Sequence, residues 1–111
     1  MDFCHFLTSY MPDLSVGSKK HFQNMIEQSI LADKLGYKTV SIPEHHLINL
    51  LMMPSPLQMA VKIATLTKSI KITTGIAVLP LHDMRTYAGD VATADILTDG
   101  RLILGVGRGA F

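Results

Sequence analysis

Cysteine is almost absent from this sequence: Cys4 stands alone among 111 residues. That excludes a disulfide framework and a cysteine-built metal cage, and it fits a reducing, cytoplasmic setting. An excess of either charge is missing too, with 10 Lys and Arg against 9 Asp and Glu. No electrostatic field is there to draw nucleic acid or an anionic membrane as partner. Long apolar runs are also lacking. The longest apolar piece, Ile48 to Met53, contains Asn49 and falls far short of the roughly 18 residues of a membrane span. The N-terminus lacks a basic region followed by an apolar stretch, so a signal peptide is not expected. What is present is a globular composition, 48% hydrophobic, sized for one small domain.

Along the chain, strand-like and helix-like stretches alternate. Asp2 to Thr8 reads as a first strand, and Ser9 to Gly17, with Pro12 and Asp13, as a loop. Ser18 is a candidate N-cap, and Phe22, Met25, Ile26, Ser29 and Ala32 follow at helical spacing until Gly36. Tyr37 to Ile42 reads as the second strand. Ser55-Pro56 opens a second helix with Met59, Ala60, Ile63, Ala64 and Thr67 on one stripe. Ile70 to Leu79 reads as the third strand. Asp83 can cap a third helix in which Ala88, Val91, Ala92 and Asp95 share a face, and Asp99-Gly100 stops it. Arg101 to Val106 reads as the fourth strand. Strict alternation with short connections argues a parallel sheet with right-handed crossovers.

Two parallel architectures compete, an open doubly wound sheet and the (β/α)8 TIM-barrel type. A dinucleotide fold carries its glycine fingerprint in the first strand-to-helix loop. Here that loop, Thr8 to Ser18, has one glycine, and the glycine cluster comes at the end of strand four, Gly105-Val106-Gly107-Arg108-Gly109. Those glycines also suit tight backbone packing at a barrel mouth. Thr8, Ser9, Glu44 to His46, His82 and Arg108 all fall just past the C-terminal ends of the strands. In a barrel those ends share one face, the face of the active site. The fold expected is a partial TIM-type barrel, about the first four βα units, with residues 1–111 as one domain.

The chemistry concentrates in Pro43-Glu44-His45-His46, where a buried strand ends in a carboxylate and two imidazoles. Neighbouring residues on a strand point to opposite faces, so two adjacent histidines seldom chelate one ion, and no metal site is expected. One imidazole should face the pocket as acid-base or hydrogen-bond donor, and the other should turn back to Glu44 or the backbone. Gly75 in the third strand suggests a bulge or the close approach of something flat, or else a glycine packed under a helix. Asp95, placed on an apolar helix face, should pair with Arg101 or Arg108. Met52 and Met53 read as packing, with an apolar lid as the second reading.

Taken together, these residues resemble the bacterial luciferase-like flavin monooxygenases. The resemblance is carried by Ala32-x3-Gly36-Tyr37-x2-Val40, Glu44-His45-His46, Ser55-Pro56-Leu57, Ile72-x2-Gly75, Val78-Leu79-Pro80-Leu81-His82 and Asp95-x-Leu97-x2-Gly100-Arg101-Leu102-x-Leu104-Gly105-Val106-Gly107-Arg108-Gly109. It spans nearly the whole chain. It implies a (β/α)8 barrel, often dimeric, that uses reduced FMN from a partner flavin reductase and O2 to oxidise a small organic substrate. Other members use the deazaflavin F420. The resemblance places His45 in the pocket near the flavin ring as the catalytic acid-base or donor. It maps a non-prolyl cis peptide that supports the ring onto Gly75-Ile76, and with Gly107 of the last glycine-rich strand these are the expected cofactor-binding residues. In light-emitting members a reactive cysteine stands where this chain has Gly107, so light emission is not implied. Asp83-Met84 replaces the His-Pro that often follows the Leu-Pro-Leu-His stretch. Oxygen chemistry on a reduced flavin needs a dry pocket, and Leu and Met residues flank Glu44 to His46.

A closed barrel needs about 200 residues or more, so the chain is expected to be the N-terminal part of a longer protein, a homo-oligomer in its full form. The flavin phosphate site would lie in later strands, and this part alone should bind FMN poorly. Two other readings stand beside the monooxygenase: an F420-dependent oxidoreductase on the same barrel, and a non-catalytic flavin-binding or dimerisation subunit.

Overall fold

The computed structural model describes residues 1–110. Six short strands and three helices follow one another: β1 (Cys4–Phe6), α1 (Ser18–Lys34), β2 (Thr39–Ile42), α2 (Pro56–Leu66), β3 (Lys71–Thr74), β4 (Ala77–Val78), α3 (Met84–Leu97), β5 (Leu102–Ile103) and β6 (Val106–Gly107). The strands β1, β2, β3 and β5 form one sheet in that order, and every pairing is parallel. Beyond it β4 pairs with β6, Ala77 opposite Val106.

The expected third strand is therefore two pieces, interrupted at Gly75-Ile76, whose peptide bond is cis. The fourth is also two pieces, interrupted at Leu104-Gly105. Spatial order follows chain order with no reversal. A doubly wound sheet turns back at a switch point; this sheet has none, and it is the opening arc of a (β/α)8-type barrel.

One apolar core holds the arc to its helices. Val40, Ile42 and Ile72 from the strands pack with Met25 and Ala32 of α1 and with Met59, Ala60, Ile63 and Ala64 of α2. Burying one large aliphatic side chain contributes roughly 1.5–3 kcal/mol, so this shared layer outweighs intrinsic helix propensity in fixing α1 and α2. Met53 belongs to the same core and is 1% exposed, which makes it a packing residue.

Three local expectations differ from the structure. Ser18 is the first residue of α1 rather than its cap; Gly17 takes the cap position, and its carbonyl accepts the His21 N–H at 3.1 Å. The buried face of α3 carries Tyr87 and Ala94, not Ala88, Ala92 and Asp95, which are exposed. Apolar residues ring α3 on several sides, with Ile96 and Leu97 also exposed, so periodicity points to no single face. Asp95 forms no ion pair with Arg101. Arg101 instead donates to the Ala64 carbonyl (2.6 Å), the Ile70 carbonyl (3.3 Å) and Thr67 Oγ1 (3.0 Å). The last carbonyls of a helix lack intrahelical donors and favour a cation, so the end of α2 outcompetes an exposed carboxylate. Asp83 does cap α3, accepting the Arg85 N–H at 3.0 Å. No helix among the described residues is long and apolar enough to cross a membrane.

Candidate active site

The strand tips open onto one cavity of about 720 Å³. Each strand position contributes to it: Phe6 from the first, Pro43 to Ile48 from the second, Gly75, Ile76 and Val78 from the third, and Arg108 to Ala110 from the fourth. Thr8, Ser9 and His82 are not among the lining residues, although all three sit past strand ends. Phe6 supplies the wall from the first strand instead. The volume falls within the range of about 300–1,000 Å³ typical of small-molecule sites.

The tip of β2 is shaped by backbone pairing. His45 N–H donates to the Met53 carbonyl at 2.8 Å, which closes the loop between them. The same loop is laid against the β1–α1 connection, where Met11 N–H reaches the Leu50 carbonyl and Met52 N–H reaches the Ser9 carbonyl. This return path turns the chain after Glu44 and separates the two histidines. His45 lines the cavity. His46 turns back, its Nε2 lying 2.7 Å from Glu44 Oε1, while part of its ring still borders the cavity.

Glu44 is the hub of the site. Its side chain is fully shielded from solvent. Oε1 meets His46 Nε2 and, at 2.6 Å, His82 Nε2; Oε2 accepts the Val78 N–H at 2.8 Å. A buried carboxylate needs such partners, because desolvation without them costs several kcal/mol. His82 is held from its other side by Tyr87, stacked with ring centroids 4.0 Å apart and planes 18° from parallel. Burial, with the negative charges of Glu44 and Asp90, pushes the Tyr87 phenol above its ordinary value. Sequence reading expected one imidazole to turn back to Glu44 or the backbone, without saying which; the ring that meets Glu44 from this pair is His46. It did not foresee His82 and Tyr87 joining them, since His82 lies 38 positions from Glu44 and no spacing rule links the two.

Gly75 and Ile76 line the cavity beside His45. Gly107 does not: it packs beneath Ile76, where a Cβ would collide with Ile76 Cδ1. Gly105 lies as tightly against the Thr74 carbonyl. Among the lining side chains Phe6, Leu47, Ile48, Ile76, Val78 and Leu81 are apolar, and Arg108 brings a positive charge. A flat aromatic system with an electron-rich edge suits such walls.

The chain matches the luciferase-like monooxygenase family over residues 1–111. It is 36% identical to an uncharacterised protein of Sinorhizobium fredii over 98% of its own length and 31% of that protein's. It is 34% identical to the oxygenase component of a flavin-dependent trigonelline monooxygenase of Acinetobacter baylyi, over 84% of this chain and 26% of that one. In structure it superposes on the oxygenating constituent of 3,6-diketocamphane monooxygenase from Pseudomonas putida, solved in complex with FMN, with a TM-score of 0.93 at 25% identity. That match covers 100% of this chain and 30% of the other. The chain thus spans about a third or less of the length of the relatives it matches. The whole-chain family match, the parallel barrel arc and the cavity at its strand tips together make this chain a member of the luciferase-like monooxygenase family.

Proposed function

We propose that residues 1–111 form the N-terminal part of a (β/α)8 barrel that works as a flavin-dependent monooxygenase, inserting one oxygen atom of O2 into a small organic substrate. The observation that carries this reading is that His45 and Gly75-Ile76 border one cavity. Reduced FMN is the cofactor proposed, delivered by a separate flavin reductase, and it supplies the electrons that activate oxygen. What supports a flavin is the FMN bound in a solved structural neighbour; F420 is the alternative. Gly75 and Ile76 would lie against the isoalloxazine ring, with Gly107 holding Ile76 from behind. Arg108 would offset negative charge on the reduced ring. In the closed barrel the apolar walls would exclude water, which would protect oxygen chemistry from wasteful side reactions. His45 would hold or move a proton at the ring's edge.

The test is an anaerobic titration of the chain within its whole barrel, with reduced FMN and reduced F420 in parallel. Saturable binding of FMN, followed by substrate oxidation on admitting O2, supports the proposal. Preference for F420 moves it to the deazaflavin oxidoreductases. Binding of neither, or unaltered turnover in His45→Ala, ends it.

A further inference from the structure

Glu44 presents one oxygen to two rings and the other to the backbone. We propose that Glu44 is a positioning residue that holds His46 and His82 in a single tautomer, with hydrogen on Nε2 and the lone pair on Nδ1, while pinning β4 through Val78. The purpose of the arrangement rests on the flavin reading given above, but the geometry does not.

A carboxylate offers acceptors only. Oε2 is met by the Val78 N–H, and Oε1 by two ring nitrogens at 2.6 and 2.7 Å. Each Nε2 must therefore bring its own hydrogen, which leaves Nδ1 of each ring as its acceptor atom. Tyr87 braces His82 by stacking on its face. His46 borders the cavity, and the tautomer leaves its ring an Nδ1 acceptor, oriented by a buried carboxylate as in other imidazole–carboxylate pairs. The same Glu44 fixes Val78, two residues past Ile76, so one side chain aligns the acceptor with the wall it faces.

A metal is the competing account, since the Glu44, His46 and His82 ligand atoms lie within 4.8 Å of one another. Two ligands bound tetrahedrally to zinc at about 2.0–2.2 Å sit roughly 3.3 Å apart. The Nε2-to-Oε1 separations are hydrogen-bond lengths.

The test is ¹⁵N NMR of the imidazoles in the chain within its whole barrel, free of cofactor, at a pH where the rings are neutral. Both rings are expected as Nε2–H tautomers; either ring as Nδ1–H, or a mixture, overturns the proposal even if no variant folds. Glu44→Gln keeps the shape but swaps one acceptor for an NH2 donor. Facing the rings, that NH2 forces at least one to Nδ1–H; facing Val78, it breaks the backbone bond and speeds Val78 amide exchange roughly tenfold or more. Unchanged tautomers together with unchanged exchange overturn the proposal. Asp95→Asn, on the exposed side of α3, should alter neither reading. One equivalent of Zn²⁺ that shifts both ring signals in the wild type but not in Glu44→Gln overturns it in favour of a metal centre. No flavin enters these measurements, so failure to bind FMN would count against the proposed function alone.

Discussion

Glu44 and His82 stand 38 positions apart in sequence, yet their Oε1 and Nε2 atoms approach to 2.6 Å. The contact ties the tip of β2 to the turn before α3. Around it, a carboxylate fully shielded from water satisfies two imidazoles and a backbone N–H. Truncation by Glu44→Ala should leave the half-buried Val78 N–H without its partner. Hydrogen bonds to charged groups contribute about 1.5–3 kcal/mol each, less where water can replace the lost partner. Since both histidines are partly exposed, we expect a total loss of about 2–4 kcal/mol in urea unfolding. An unchanged midpoint would show that the hub contributes nothing to the fold.

His45 should behave in the opposite way. Its backbone bond to Met53 survives replacement by Ala, so stability should change by less than about 1 kcal/mol. Turnover in the flavin-supplied barrel should fall by roughly 10²–10⁴, the usual contribution of a placed acid or base. Stopped-flow oxidation of substrate, set beside a melting curve, separates the two effects.

The glycines of the broken strands can be ranked. A Cβ at Gly105 would meet the Thr74 carbonyl, which is backbone, whereas a Cβ at Gly75 would meet the Ser41 hydroxyl. Overpacking typically costs about 1–3 kcal/mol. Gly105→Ala should fall at the upper end, because a strand must shift. Gly75→Ala should recover most of its loss when combined with Ser41→Ala, a coupling that a double-mutant cycle reads directly.

Asp33 gives the acid limb of stability. It accepts the N–H groups of Lys68 (2.8 Å), Ser69 (3.2 Å) and Ile70 (2.9 Å) and so joins the end of α1 to the start of β3. Burial pushes its carboxyl upward, but these donors and the Ser69 hydroxyl outweigh burial and hold it below the ordinary value. A depressed folded-state value means stability that is complete above the unfolded value, near 4, and lost as pH falls through the folded one. Asp33→Ala should cost about 1–2 kcal/mol at neutral pH and flatten the decline below about pH 4, as followed by acid-dependent chemical unfolding.

Tyr87 governs the alkaline limb. Its hydroxyl is buried with no hydrogen-bond partner among the described residues, and its ionisation is pushed upward by burial and by the charges of Glu44 and Asp90. A raised folded-state value leaves stability intact below the unfolded value, near 10, and erodes it as pH rises beyond. Tyr87→Phe keeps the stack on His82 and removes both the orphan hydroxyl and that erosion. Unfolding at neutral pH should be unchanged or slightly more difficult, and the loss of stability above about pH 10 should shrink.

Much of the fold was legible because it rests on local chemistry. Pro56 after Ser55 opened α2 where expected, and Asp83 capped α3. Gly36 followed the end of α1. Alternation of strands and helices pointed to a parallel sheet, and the polar strand tips pointed to a common mouth. Legibility failed where partners are distant. Asp95 looked like a buried acid because α3 carries apolar residues on several sides. Arg101 went to the carbonyls at the end of α2, a choice made by docking rather than by sequence distance. At the site, the run Glu44-His45-His46 was visible as a polar strand end, but His82 and Tyr87 gave no sequence signal beyond their positions near a strand end.

By itself, the sequence determined the order of the elements, the apolar stripes that lay α1 and α2 on the sheet, and the delivery of a carboxylate and two imidazoles at the end of β2. Those follow from propensities, capping and periodicity, which act over a few residues. Only the tertiary structure decided that His45 and His46 both border the cavity, that Glu44 gathers His46, His82 and Val78 at once, and that Gly107 serves Ile76 from behind. Such contacts join segments tens of residues apart, and they exist only once parallel strands have brought their tips to one face.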